Sequence, residues 1–313
     1  MKKQRILLKN QLRPQLDAAL AARYDLHGLH KESSPEAFLQ RHGAEFVGLA
    51  TSARFGANRG LIEALPNLKV ISCLGVGVDN IDVAYARERG IQVGYTPDIL
   101  SDCVADTAFG LLIDAARGFS RADRFVRRGD WLKGRFPFAT SVARKKLGIL
   151  GMGRIGSIVA KRATGFDMEV RYHNRRQVHD SKLAYEPTLL GLASWADFLV
   201  IAASGNPDTK RIVTSDVLAA LGSNGFLINV ARGSIVDEAA LIEALRSGRI
   251  AGAGLDVFDN EPNVAAGLLD LENVVLLPHI AANTHETQGA MAELVIENLE
   301  SFFSTGTVKV AAS

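Results

Sequence analysis

The chain is poor in the features that mark several functional classes. Of its 313 residues only two are cysteines. Cys73 and Cys103 lie in apolar surroundings with neither a CxxC spacing nor a metal-ligand pattern, which excludes a disulfide framework and a cysteine-built metal site. They are expected to be buried free thiols in a reducing cytoplasm. Net charge is only +2, far from the basic balance of a nucleic-acid binder. No apolar run is long enough to span a bilayer. The opening Met1-Lys2-Lys3-Gln4-Arg5-Ile6-Leu7-Leu8 is too short and polar for a signal peptide and reads as a first strand. Neither a usable internal repeat nor a low-complexity segment occurs. What is present is ordinary soluble composition, 47% hydrophobic and 22% charged, in a chain long enough for two domains with separate cores.

Short apolar runs at Ile6–Leu8, Phe46–Leu49, Val70–Leu74 and Ile91–Val93 alternate with helical stretches such as Gln15–Tyr24 and Ile81–Glu88. This is the pattern of a parallel α/β unit. Pro97-Asp98 interrupts it. Ser101 or Asp102 can then cap a long segment through Arg117, which is apolar on nearly every face and is expected to be buried all round, inside the fold or against another subunit. Later strands are expected at Phe198–Ala202, Phe226–Val230, Ala253–Asp256 and Val274–Leu277, and an amphipathic helix over Glu286–Phe303.

The segment Lys145–Arg176 carries the strongest local signal. An apolar strand, Lys145–Leu150, runs into Gly151-Met152-Gly153-Arg154-Ile155-Gly156. A helical stretch, Ser157–Phe166, and a second strand, Met168–Tyr172, follow. The three glycines have separate tasks in a dinucleotide site. Gly151 allows the tight turn, Gly153 lets backbone approach a pyrophosphate, and Gly156 lets helix and strand pack closely. A helix N-terminus there favours negative charge. An NAD site usually closes the second strand with Asp or Glu, whereas this chain has Asn174-Arg175-Arg176. Two guanidinium groups suit the extra phosphate of NADP, so NADP(H) is the expected cofactor.

Three further motifs each follow an expected strand, where ligands bind in open α/β sheets. They are Asn229-Val230-Ala231-Arg232-Gly233-Ser234, Leu255-Asp256-Val257-Phe258-Asp259-Asn260-Glu261-Pro262 and Leu277-Pro278-His279-Ile280-Ala281. In this order behind GxGxxG, they make the chain resemble the D-isomer-specific 2-hydroxyacid dehydrogenase family over essentially its whole length. Phe136-Pro137, Tyr172-His173-Asn174-Arg175, Leu276-Leu277-Pro278-His279 and His285-Glu286-Thr287 most resemble the branch of NADPH-dependent glyoxylate/hydroxypyruvate and hydroxyphenylpyruvate reductases.

The resemblance implies a catalytic set of Arg232, Glu261 and His279. Reduction of a 2-oxoacid needs a proton for the carbonyl oxygen, which suits an imidazole. A neighbouring Glu261 favours the charged ring and fixes its tautomer. Arg232 offers a planar fork for the substrate carboxylate. From chemistry alone, Glu261 equally fits a residue that begins a loop before Pro262. The turn Leu74–Asn80 reads either as a packing turn or as an anion-binding concavity, and the residues alone leave both open. The resemblance assigns the N–H groups of Val76 and Gly77, with Arg232 and His279, to the substrate. It assigns Asp256 to the nicotinamide amide, and Thr107 with Val230, Ala231 and Arg232 to the pocket around it. Gly151, Gly153, Arg154, Ile155 and Gly156 are assigned to the pyrophosphate turn. Ala281-Ala282 stands where many relatives have Gly-Ser, and Asn206 where Thr is common.

The implied architecture is α/β: two Rossmann-like domains with parallel sheets and the active site in the interdomain cleft. A discontinuous substrate-binding domain of residues 1–99 and 284–313 would flank an NADP-binding domain of residues 100–283. The implied partners are a small 2-oxoacid and a second copy in a homodimer, without nucleic acid or membrane. The implied activity is NADPH-dependent reduction of glyoxylate or hydroxypyruvate. Alternatives are a larger substrate, such as hydroxyphenylpyruvate or a 2-ketoaldonate, and a dinucleotide-sensing, corepressor-like binding protein.

Overall fold

The computed structural model describes residues 3–312. They form two compact units, one running to Leu100 and resuming at Thr284, the other comprising Ser101–Asn283.

The first unit is built on a parallel sheet of β1 (Arg5–Leu8), β2 (Asp25–Gly28), β3 (Gly48–Ser52), β4 (Val70–Leu74) and β5 (Gln92–Gly94), in the order β2-β1-β3-β4-β5. A parallel sheet is covered on both faces, so its central strands are apolar throughout. Strand alternation divides β1 between two cores. Ile6 and Leu8 pack with Leu16, Leu20, Val295 and Leu299, while Leu7 packs with Phe38, Phe46, Leu49 and Ile62. The C-terminal helix His285–Thr305 lies against β4, β5 and the helix Pro14–Arg23.

Beyond Gly306 the chain returns along β5, with the Ala312 N–H donating to the Val93 carbonyl at 2.8 Å and Val308 N–H to Gln92 Oε1 at 2.8 Å. This return covers part of an edge that would otherwise present unpaired backbone.

The second unit holds a parallel sheet of seven strands: β6 (Lys146–Leu150), β7 (Glu169–His173), β8 (Ala184–Tyr185), β9 (Phe198–Ile201), β10 (Phe226–Asn229), β11 (Gly252–Leu255) and β12 (Val274–Leu276). Their order is β12-β11-β10-β9-β6-β7-β8. The order reverses between β6 and β9, and it is outside the carboxyl ends of such a pair that open α/β sheets bind ligands.

The structure departs from sequence expectation in several places. The third strand begins at Gly48 rather than Phe46, because register is set by pairing Ile6 with Gly48. The fully buried Phe46 instead fills the core beside Phe38 and His27. The helix after the glycine turn starts at Arg154, not Ser157, because Gly153 already has the extended backbone of an N-cap, and it gives way to a 3-10 turn at Thr164–Phe166.

Within this single chain the helix Ser101–Arg117 is not covered on every face. Asp102, Asp106, Gly110 and Arg117 are exposed within this chain, and Arg162 holds both aspartates, at 3.0 and 2.7 Å. Cys103 is half-buried, while Cys73 is buried, and both are free. Among the described residues no helix is long and apolar enough to cross a membrane.

Asn298 ties the returning tail to the sheet. It is fully buried, its Nδ2 donates to the Tyr95 carbonyl at 3.2 Å and its Oδ1 accepts from Val310 N–H at 2.9 Å. Asn298→Ala leaves both backbone groups without that partner, at about 1–3 kcal/mol each. Urea unfolding is expected to register a loss of that order, and a change below about 0.5 kcal/mol would show that the tail contributes little.

Candidate active site

The glycine turn follows β6 and lies beside the loop after β9. Gly151 has φ +100°, a conformation L side chains rarely adopt. A Cβ there would also come within 2.5 Å of the Ala203 nitrogen. A Cβ on Gly156 would lie 2.1 Å from the Gly151 carbonyl oxygen, so the helix start rests directly on the turn. Gly153 faces open space, where a Cβ would meet nothing within 4 Å. Two glycines are thus required by protein packing and the third leaves room for an incoming group, which fits a dinucleotide pyrophosphate at the N-terminus of the helix Arg154–Ala163. Arg154 is exposed and Ile155 half-buried at that terminus.

Asn174 has a different task from its neighbours. Its Oδ1 accepts from Met152 N–H at 2.6 Å, bracing the glycine turn from the end of β7. Arg175 and Arg176 follow as exposed cations, and Arg175 pairs with Asp208 at 3.2 Å.

Arg232, Glu261 and His279 follow β10, β11 and β12, three neighbouring parallel strands, and therefore emerge on one edge of the sheet. Contacts connect their loops. Gly233 packs against the Phe258 backbone so closely that a Cβ would fall 1.9 Å from the Phe258 carbonyl carbon. Phe258 N–H donates to Glu261 Oε1 at 3.1 Å, and Glu261 Oε2 lies 2.7 Å from His279 Nδ1. With a carboxylate at Nδ1, the proton sits on that nitrogen and Nε2 is left to exchange a proton with a ligand. Glu261 is largely buried, while the His279 ring is 45% exposed.

Two residues support this set from below. Asn229, one position before the Val230-Ala231-Arg232 turn, is 1% exposed. Its Oδ1 accepts from Ala231 N–H at 3.0 Å and its Nδ2 donates to the Arg232 carbonyl at 2.9 Å. Sequence reasoning missed this role, although an Asn ending an apolar strand was the available signal.

Asp256 is fully buried. Its two carboxylate oxygens accept from Ile280 N–H at 2.7 Å and Ala281 N–H at 3.0 Å, and its carbonyl accepts from His279 N–H at 2.9 Å. His279 has φ +53°, a left-handed backbone that costs an L residue about 1–2 kcal/mol and needs such bonds to hold it. Burial holds the Asp256 carboxyl above the usual range, and the two N–H bonds and the nearby His279 offset only part of that rise. Thr107 touches the same loop, its Oγ1 lying 3.4 Å from the Ala281 carbonyl.

Val76 and Gly77 belong to the first unit. Gly75 has φ +130°, its N–H donates to Thr96 Oγ1 at 2.9 Å, and Thr96 is fully buried. The turn is therefore pinned at its base, while the N–H groups of Val76 and Gly77 make no hydrogen bond among the described residues. Among those residues, no group of three or more His, Cys, Asp or Glu is placed to hold a metal ion.

Asp256→Asn replaces one acceptor oxygen with an amide that opposes an N–H. Amide hydrogen exchange at Ile280 and Ala281 is expected to accelerate about ten- to a hundredfold, the equivalent of 1–3 kcal/mol. Unchanged protection would show that the His279 loop holds itself.

Comparison with known proteins places this geometry in a family. Residues 109–281 match the model described as D-isomer specific 2-hydroxyacid dehydrogenase, NAD binding domain. A glyoxylate/hydroxypyruvate reductase of Arabidopsis thaliana is 42% identical over 299 residues, covering 96% of each chain. A 2-ketogluconate reductase of Gluconobacter oxydans is 46% identical over 261 residues, 83% of this chain and 84% of the relative. Among solved structures, an NADPH-dependent glyoxylate/hydroxypyruvate reductase from Sinorhizobium meliloti, in complex with NADP and malonate, is 39% identical with a TM-score of 0.92, covering 100% of this chain and 97% of that one. A glycine turn at a sheet's switch point, and an Arg, Glu and His on three adjacent strand ends, thus belong to a member of the D-isomer-specific 2-hydroxyacid dehydrogenase family.

Proposed function

We propose that this protein reduces small 2-oxoacids to 2-hydroxyacids with NADPH, glyoxylate and hydroxypyruvate being the first substrates to test. The observation that carries the reading is the 2.7 Å bond between His279 Nδ1 and Glu261, in a loop system that also presents Arg232. In this reading the unit Ser101–Asn283 holds the cofactor.

Gly153, Arg154 and Ile155 would receive the pyrophosphate on a turn that Gly151 and Gly156 make possible, with Asn174 bracing that turn and Arg175 and Arg176 meeting the 2′-phosphate. Thr107, Val230, Ala231 and Arg232 would line the nicotinamide pocket, while the buried Asp256 holds the His279 loop beneath it instead of meeting the nicotinamide amide. When bound, the reduced nicotinamide supplies the hydride.

The chain's own residues do the rest. Arg232 binds the substrate carboxylate through charge-assisted bonds. Its positive charge also favours negative charge developing on the carbonyl oxygen. His279, protonated and held by Glu261 at Nδ1, gives the Nε2 proton to that oxygen. Glu261 holds the ring's orientation and its tautomer through Nδ1.

The similarity to a 2-ketogluconate reductase supports a second substrate class of longer polyhydroxylated 2-oxoacids. The two free cysteines fit a reducing, cytoplasmic setting. A homodimer is part of the reading. The segment after the helix Ser101–Arg117 exposes Phe119, Trp131, Leu132 and Phe138, an apolar surface that a second copy would cover.

Loss of NADPH absorbance with a panel of 2-oxoacids tests the activity, and no oxidation with any of them would defeat it. His279→Ala is expected to lower kcat by about 10²–10⁴ with NADPH affinity unchanged. Replacing Arg175 and Arg176 with Ala is expected to raise KM for NADPH at least about tenfold more than KM for NADH, and an equal effect on both would refute the phosphate role. Light scattering is expected to give twice the 33.6 kDa chain mass, and a monomer at micromolar concentration would contradict the dimer.

A further inference from the structure

The Arg175–Asp208 ion pair spans the mouth of the glycine turn. In the sheet order, β6 lies between β9 and β7, so loops leaving β9 and β7 flank the turn that leaves β6. Arg175 follows β7 and Asp208 lies in the loop after β9, and their side chains meet at 3.2 Å across it. Both ends rest on anchored backbone. Asn174 bonds the glycine turn through Met152 N–H, and its carbonyl accepts from Tyr185 Oη at 3.1 Å. On the other side Asn206 caps the Pro207–Thr209 turn, its Oδ1 accepting from the N–H groups of Asp208 at 2.9 Å and Thr209 at 3.2 Å. Thr209 Oγ1 closes the box by accepting from Asn206 N–H at 2.9 Å. The two side chains can reorient while the loops that carry them stay in place.

We infer that Asp208 is a specificity-determining residue that weakens the preference for a phosphorylated dinucleotide by holding the Arg175 guanidinium as its counter-ion. The inference rests on the reading of Arg175 as a 2′-phosphate ligand. A guanidinium already engaged by a carboxylate must release it, or share its donors with it, to bind a phosphate. The Asp208 carboxylate then stands as a like charge near a group carrying close to two negative charges. NADH has no phosphate at this position and does not meet this competition. Both side chains are mostly exposed, at 82% and 74%. The pair therefore does little for the fold, and its effect falls on the ligand.

Asp208→Asn keeps the shape and removes the charge. In calorimetric titrations at low ionic strength, the Kd for NADPH is expected to fall about three- to tenfold, that for NADH to stay within about twofold, and thermal stability to remain unchanged. The gain should shrink as salt is added and vanish on an Arg175→Ala background, where the two changes are coupled. An NADPH Kd that is unchanged or rises, or an equal gain for NADH, would overturn the proposal. Arg175→Ala alone separates the two levels of the argument. If it leaves the NADPH-to-NADH ratio unaltered, the phosphate reading fails and takes this proposal with it. If it lowers the ratio while Asp208→Asn does nothing, only the role of Asp208 is lost.

Discussion

A buried carboxylate is the constraint from which the arrangement of the site follows. Asp256 has no contact with solvent, and its isolation in a medium of low polarity works against the ionised form. The opposing interaction is a pair of backbone N–H groups, from Ile280 and Ala281, one for each oxygen. The chain after β12 is thereby drawn down onto the end of β11. His279, immediately before those two donors, is forced into a left-handed backbone that brings its Nδ1 to Glu261. The imidazole is thus set by three groups from one strand end: the Asp256 carboxylate, the Asp256 carbonyl and the Glu261 side chain.

The same device recurs at the other strand ends. Asn229 fixes the turn that presents Arg232 by satisfying a donor and an acceptor of that turn at once. Asn174 does similar work for the glycine turn at the end of β7. In each case a short polar side chain at or just beyond a strand's end pairs backbone groups that the sheet no longer reaches. The functional loops are consequently held by the strand ends as well as by one another. A parallel sheet with its order reversing between β6 and β9 then collects them on one edge.

Much of this was legible in the sequence where the signal was local. The glycine spacing specified a strand, a tight turn and a helix, because each glycine answers to a steric need within a few residues. Pro278-His279 and Arg232-Gly233 stood out as chemistry-bearing residues directly after apolar strands. Features decided by tertiary contact were less visible. The strand Asp25–Gly28 carries little apolar signal and exists because it pairs with β1. The helix Ser101–Arg117 looked apolar on nearly every face, yet within this chain its Asp102 and Asp106 are exposed and held by Arg162, fifty-six residues beyond Asp106. Asp208 resembled any acidic loop residue until the fold set it opposite Arg175.

The central claim is that His279 is held at Nδ1 by Glu261 and exchanges its proton through Nε2. Nitrogen-15 spectra of histidine-labelled protein, with the His279 signals identified by their loss in His279→Ala, test it most directly. The account predicts an Nδ1 that stays protonated and hydrogen-bonded throughout, and an Nε2 whose shift moves when cofactor and oxamate, an unreactive 2-oxoacid mimic, are added. An unprotonated Nδ1, or an Nε2 indifferent to the mimic, would contradict it.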